Sequence, residues 1–166
     1  MRLRTLSLLA ILATTAVIAA GCGGSSNPSP SSAKPSTTAA ATTSGAATVK
    51  TASAGDLGTI LVDSTGRTLY LWKADHGSSS TCSGACASAW PPVTTTGTPK
   101  AAGDAKTADL GTTKRGDGTT QVTYHGHPLY LFAGDSQPGD TTGEGNTGFG
   151  AAWYVVTPQG SAVDKS

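Results

Sequence analysis

Gly66-Arg-Thr-Leu-Tyr-Leu-Trp-Lys-Ala-Asp75 and Gly126-His-Pro-Leu-Tyr-Leu-Phe-Ala-Gly-Asp135 are nearly the same phrase, written sixty residues apart. Downstream, Gly84-Ala-Cys-Ala-Ser-Ala-Trp90 aligns more loosely with Thr147-Gly-Phe-Gly-Ala-Ala-Trp153 at an offset of sixty-three. Both matches fall in one order, so the chain reads as two pseudo-symmetric halves. In an extended chain Leu69 and Leu71 point one way while Tyr70 and Trp72 point the other, and Leu129, Leu131, Tyr130 and Phe132 repeat the alternation. Both faces are apolar and both need cover. The expected fold is mainly β, a compact antiparallel sandwich or strongly curled sheet built from two repeats.

The flanking residues extend each phrase into strands. Thr59–Asp63, the turn Ser64-Thr65-Gly66 and Thr68–Trp72 give a hairpin signal, with β-branched and aromatic residues on either side of a glycine. In the second half Gly116-Asp117-Gly118 and His125-Gly126 punctuate turns around Thr119–Tyr124 and Leu129–Phe132, and a last strand, Ala152–Thr157, stops at Pro158. No stretch after residue 22 carries a helical stripe.

Tyr70-Leu71-Trp72-Lys73-Ala74-Asp75 and Tyr130-Leu131-Phe132-Ala133-Gly134-Asp135 both fit Y-x-[FWY]-x-x-D. The chain resembles the bacterial secreted-repeat lipoproteins that carry this motif. Cys82-x-x-x-Cys86 followed by Trp90-Pro91-Pro92, and the run from Gly126 to Tyr130, are similar to that family as well. The resemblance spans about Gly55 to Gly160 and implies an exported lipoprotein whose function is undetermined.

The N-terminus supports export independently. Arg2 and Arg4 precede an apolar run from Leu6 to Ala20, long enough for a signal h-region and short for a spanning helix. Ala19-Ala20-Gly21-Cys22 resembles the bacterial lipobox, departing from it at Ala19, where a larger aliphatic residue is usual. Residues 1–21 are therefore read as a lipoprotein signal peptide and Cys22 as the lipidated residue. Acyl chains contribute roughly 0.8 kcal/mol per buried CH₂, so two or more anchor a protein stably to a membrane. Residues 22–54 hold no aromatic residue and one isolated valine among Ser, Thr, Ala and Pro, too little apolar surface to offset the entropy of ordering. They read as a disordered tether of about thirty residues spanning roughly 30 Å. A single β-domain follows at 55–162, with repeat one at about 55–100 and repeat two at about 107–160, then a tail at 163–166.

Loss of residues 1–21 removes Arg2 and Arg4 from eleven basic residues, leaving nine against ten acidic and a formal charge of −1. Such a surface gives a nucleic-acid backbone nothing to find.

Candidate sites are few. Cys82 and Cys86 are the cysteines left once Cys22 is acylated; an oxidising exterior favours their pairing, and an i to i+4 spacing suits a disulfide. The alternatives are a reversible redox pair or, with His76, a copper or zinc site. His125 and His127 flank Gly126 and could offer two imidazoles to a metal, although the corresponding Thr65 and Arg67 could not. Asp75 and Asp135 close their strands before polar loops, where a carboxylate can accept backbone N–H bonds; alternatively they meet as a carboxylate pair or bind calcium with Asp140 and Glu144. Tyr70, Trp72, Tyr130 and Phe132 read as core. Nucleophile-elbow, zincin, P-loop and dinucleotide patterns are absent from the sequence. The expectation is a non-enzymatic, lipid-anchored envelope protein without a cofactor, binding an envelope protein or small ligand. The alternative is redox or metal handling through Cys82, Cys86 and nearby histidines.

Overall fold

Asp63 makes the reversal that leads into the first motif copy. Its carboxylate accepts from the Thr65 amide at 2.8 Å, the Thr65 hydroxyl at 2.7 Å and the Arg67 amide at 3.0 Å. Gly66 turns the chain with φ of 93°, a region that costs a residue with a Cβ. The structure, a computed structural model, describes residues 45–163. Strand β1 (Thr48–Ser53) pairs antiparallel with β2 (Thr59–Asp63), and the returning chain runs into β3 (Tyr70–Trp72). After a five-residue helix, α1 (Ala85–Ala89), the short strand β4 (Lys100–Ala101) lies parallel against β1. The second half repeats the pattern with β5 (Leu110–Lys114), β6 (Thr120–Tyr124) and β7 (His127–Pro128), all antiparallel, before β8 (Trp153–Val155). The architecture is mainly β, in three small sheets.

Several bounds differ from the sequence reading: the strand expected at Leu129–Phe132 is replaced by β7 at His127–Pro128, and β3 and β8 are shorter than Thr68–Trp72 and Ala152–Thr157. The expected tether reaches Ala54, yet its final stretch is strand β1, with Ala47 and Val49 buried. Thr48–Ser53 has little apolar content, and its order comes from backbone bonds to β2, which composition does not register. Helix α1 is likewise too short to carry an apolar stripe. The signal peptide, Cys22, residues 23–44 of the tether and the end of the tail lie outside the described residues.

The halves are interlocked. β8, late in repeat two, pairs with β3 of repeat one, placing Trp153 opposite Trp72. Val156 continues this insertion: Leu61 N–H donates to its carbonyl at 2.8 Å and its own N–H donates to Leu69 at 3.2 Å. Val93 of repeat one does the same in the other half, accepting from Val122 at 2.8 Å and donating to Leu129 at 2.9 Å. Each half-sheet therefore contains a strand contributed by the other repeat. Tyr70 and Tyr130 join the halves by exchanging backbone N–H···O bonds, both at 2.9 Å.

Two buried clusters cover the two faces anticipated from the alternation. Leu69, Leu71, Leu129 and Leu131 belong to one, and Tyr70, Trp72 and Tyr130, with Phe132 packed against them, belong to the other.

Candidate functional site: the aromatic face and its polar rim

The strand alternation that buries the leucines sends the motif aromatics to the opposite face, where they form a column. Trp72 stacks on Trp153 (4.9 Å between ring centroids, 7° between planes), Trp153 on Trp90 (3.9 Å, 1°), and Trp90 meets Phe132 at 4.4 Å and 32°. The repeats alternate along it: one, two, one, two. The motif tyrosines close the sides edge-on, Tyr70 against Trp90 at 5.3 Å and Tyr130 against Trp153 at 5.1 Å. Buried aromatics need partners for their polar atoms, and the Trp153 indole N–H donates to the Gly148 carbonyl at 2.9 Å.

The tyrosine hydroxyls reach across to the other repeat. Tyr70 donates to Asp135 at 2.7 Å and Tyr130 to Asp75 at 2.5 Å. Each aspartate also holds its own loop: Asp75 accepts from the Thr81 amide and hydroxyl at 2.8 and 2.9 Å, and Asp135 from those of Thr142 at 3.0 and 2.6 Å. The two carboxylates share no hydrogen-bond partner. Each fixes the exit from its strand, and each also joins the halves, which the sequence reading missed. A signal was present, since Tyr and Asp recur at the same spacing in both copies. Asp140 accepts from the Ser136 and Gln137 amides, and Glu144 from the Val155 amide.

Burial, reinforced by the bonded aspartate, pushes both tyrosines well above their ordinary value of 10. The sign follows: a folded state that holds these protons more tightly than the unfolded chain keeps full stability below about pH 10 and loses it as pH rises beyond. Alkaline denaturation monitored by circular dichroism should begin near that pH, and Tyr70→Phe with Tyr130→Phe should flatten the profile there. An unchanged slope in the double variant would refute this assignment.

Arg115 is the principal polar residue that sequence reading overlooked. Its buried guanidinium donates to Ser80 at 2.6 Å, to Gln121 at 2.8 Å and to the Cys82 carbonyl at 2.7 Å, and pairs with Asp117 at 3.1 Å. Ser80 in turn bonds the Tyr130 hydroxyl at 2.7 Å. This network is one-sided: Gln121 precedes Val122, whereas apolar Ile60 precedes its counterpart Leu61. A Lys114-Arg115 dipeptide in a turn-rich stretch gave no hint that one of the two is buried.

Cys82 and Cys86 form a disulfide, with 5.3 Å between Cα atoms and both residues buried. The pairing takes both sulfurs from the alternative Cys₂His metal site with His76. His76 is exposed, its backbone bridging Ser79. His125 is largely solvated, 3.6 Å from Asp109, while His127 is half-buried with its pKa lowered by burial first and then by Lys73 and His125. Among the described residues, no three His, Cys, Asp or Glu side chains converge as a metal site.

A family model described as a secreted repeat of unknown function matches residues 51–94 and 111–157, more than half of the chain. Its two matched segments are the two repeats of the structure. No curated protein and no solved structure matches the chain.

Proposed function

For a chain that belongs to this secreted-repeat family, we propose a lipid-anchored role on the extracytoplasmic face of the cell membrane, as a non-enzymatic binding module for an envelope protein or a small ligand. The observation that carries the reading is the mutual commitment of the motif side chains. Tyr70, Tyr130, Asp75 and Asp135 bond one another and their loops, and the column aromatics pack together, so the motif builds a rigid scaffold. Recognition then belongs to the outer surface. Residues 1–21 serve as the signal peptide, Cys22 carries the acyl chains, and residues 23–44 act as a spacer between membrane and domain. The charge balance argues against nucleic acid as the partner.

Cys22→Ser tests the anchor. The variant should remain uncleaved or become soluble and leave the detergent phase on partitioning, because acyl chains on this residue are the proposed anchor. A correctly cleaved Cys22→Ser protein that still partitions into detergent would overturn it. Cross-linking of the wild-type chain in intact envelopes tests the binding role, which predicts discrete adducts that survive washing.

A further inference from the structure

The pseudo-symmetry leaves one edge covered in the first half and its counterpart open in the second. In the first half an extended segment follows β1: Lys100 N–H donates to Ala47 at 2.8 Å, Ala102 N–H to Val49 at 2.9 Å, and Asp104 N–H to the Thr51 hydroxyl at 3.1 Å. Leu61, opposite Thr51, corresponds to Val122, opposite Thr112, so the Thr51 edge of β1 corresponds to the Thr112 edge of β5. There, His125 N–H donates to Asp109 at 2.7 Å and Arg115 N–H to Thr119 at 3.0 Å. Bonded pairs alternate along an antiparallel ladder, so the N–H and C=O of Thr112 point away from β6. Among the described residues no strand lies beyond β5.

A second observation falls at the same place. A cavity of about 420 Å³ opens beside Leu110, Thr112 and Lys114, roofed by Thr96–Pro99. A neighbouring one of about 310 Å³ shares Thr95, Thr96, Lys114 and Thr120 with it. Strand addition draws affinity from main-chain bonds on an open edge and selectivity from pockets for alternate side chains. Both elements are present here.

The geometry points to β5 as a docking edge for an extended polypeptide segment with small side chains, running parallel to it as Lys100–Asp104 runs along β1. Leu110, the counterpart of Val49, already donates its N–H to Thr107, so the segment sits one bonded position further along, pairs with the free N–H and C=O of Thr112 and drops a side chain into the cavity lined by Thr96–Pro99. The inference rests on the binding role proposed above and names its site and the class of its partner.

The chain's own covering segment supplies the probe, a synthetic peptide of residues Thr98–Asp104. Titrated into the ¹⁵N-labelled full chain at millimolar concentration, it should shift the Thr112 and Lys114 amides saturably and slow exchange of the Thr112 amide. Peptide N-methylated at the position of Ala102 should lose the effect, since that nitrogen is a donor in the template. Thr112→Pro should also abolish it, with the β6 amides unmoved because residue 112 does not bond β6. Absence of a saturable shift, an equal response to the methylated peptide, or a Thr112 amide already protected in the free chain would each overturn the proposal. Envelope adducts that persist alongside such a result would leave the binding role standing and remove only this site.

Discussion

Trp153→Ala should destabilise the domain by about 3–5 kcal/mol. Trp153 is fully buried, lies inside the column between Trp72 and Trp90, meets Tyr130 edge-on and sits in β8, the strand that completes the sheet of the other repeat. Its loss opens a cavity where both repeats meet, and total stability for a domain is typically about 5–15 kcal/mol. The thermal midpoint should therefore fall sharply, and unfolding should remain one transition because each half-sheet includes a strand from the other. Phe132→Ala, at the partly accessible end of the column, should cost less. The competing idea, that these aromatics form a binding surface, requires lost envelope adducts with stability changed by less than about 0.5 kcal/mol. Calorimetry on Trp153→Ala decides between them.

Asp135→Ala should cost about 3 kcal/mol and more than Asp75→Ala, since burial without a partner penalises each orphaned donor by about 1–3 kcal/mol. The difference comes from the hydroxyls left behind. Tyr130 keeps Ser80 at 2.7 Å, whereas the remaining contact of Tyr70 is the Gly143 amide at 3.3 Å, itself a donor. Double-mutant cycles test the exchange directly: Asp75→Ala with Tyr130→Phe should couple by about 0.5–3 kcal/mol, and Asp75→Ala with Tyr70→Phe should be close to additive. Coupling within a motif rather than between motifs would contradict the geometry.

Much of this was readable from two phrases. The alternation at Leu69–Trp72 and Leu129–Phe132 anticipates two covered faces, because a strand period of two is a local property. Hairpin turns at Gly66 and Gly126 are local as well. Partner choice is not: the sequence does not say that β8 crosses to β3, that Val93 inserts beside Val122, or that Tyr70 takes the aspartate of the other copy. Those choices are made by packing between segments far apart in sequence. Strand β1 escaped for a related reason, since Thr48–Ser53 acquires its order from β2. The burial of Arg115 was not legible because its acceptors, Ser80, Gln121 and the Cys82 carbonyl, come from three separate segments.

The strand inserted at Val156 has a consequence for the order of events during synthesis. Leu61 and Leu69 are made early, but the backbone groups that bond Val156 wait for nearly the last residues of the domain. Domains commonly acquire structure as they emerge, N-terminal part first. Here β2, β1 and β4 can pair within the first repeat, but Leu61 and Leu69 lack their Val156 partner until the second repeat has been made. The finished two-repeat core therefore forms only once the chain is nearly complete.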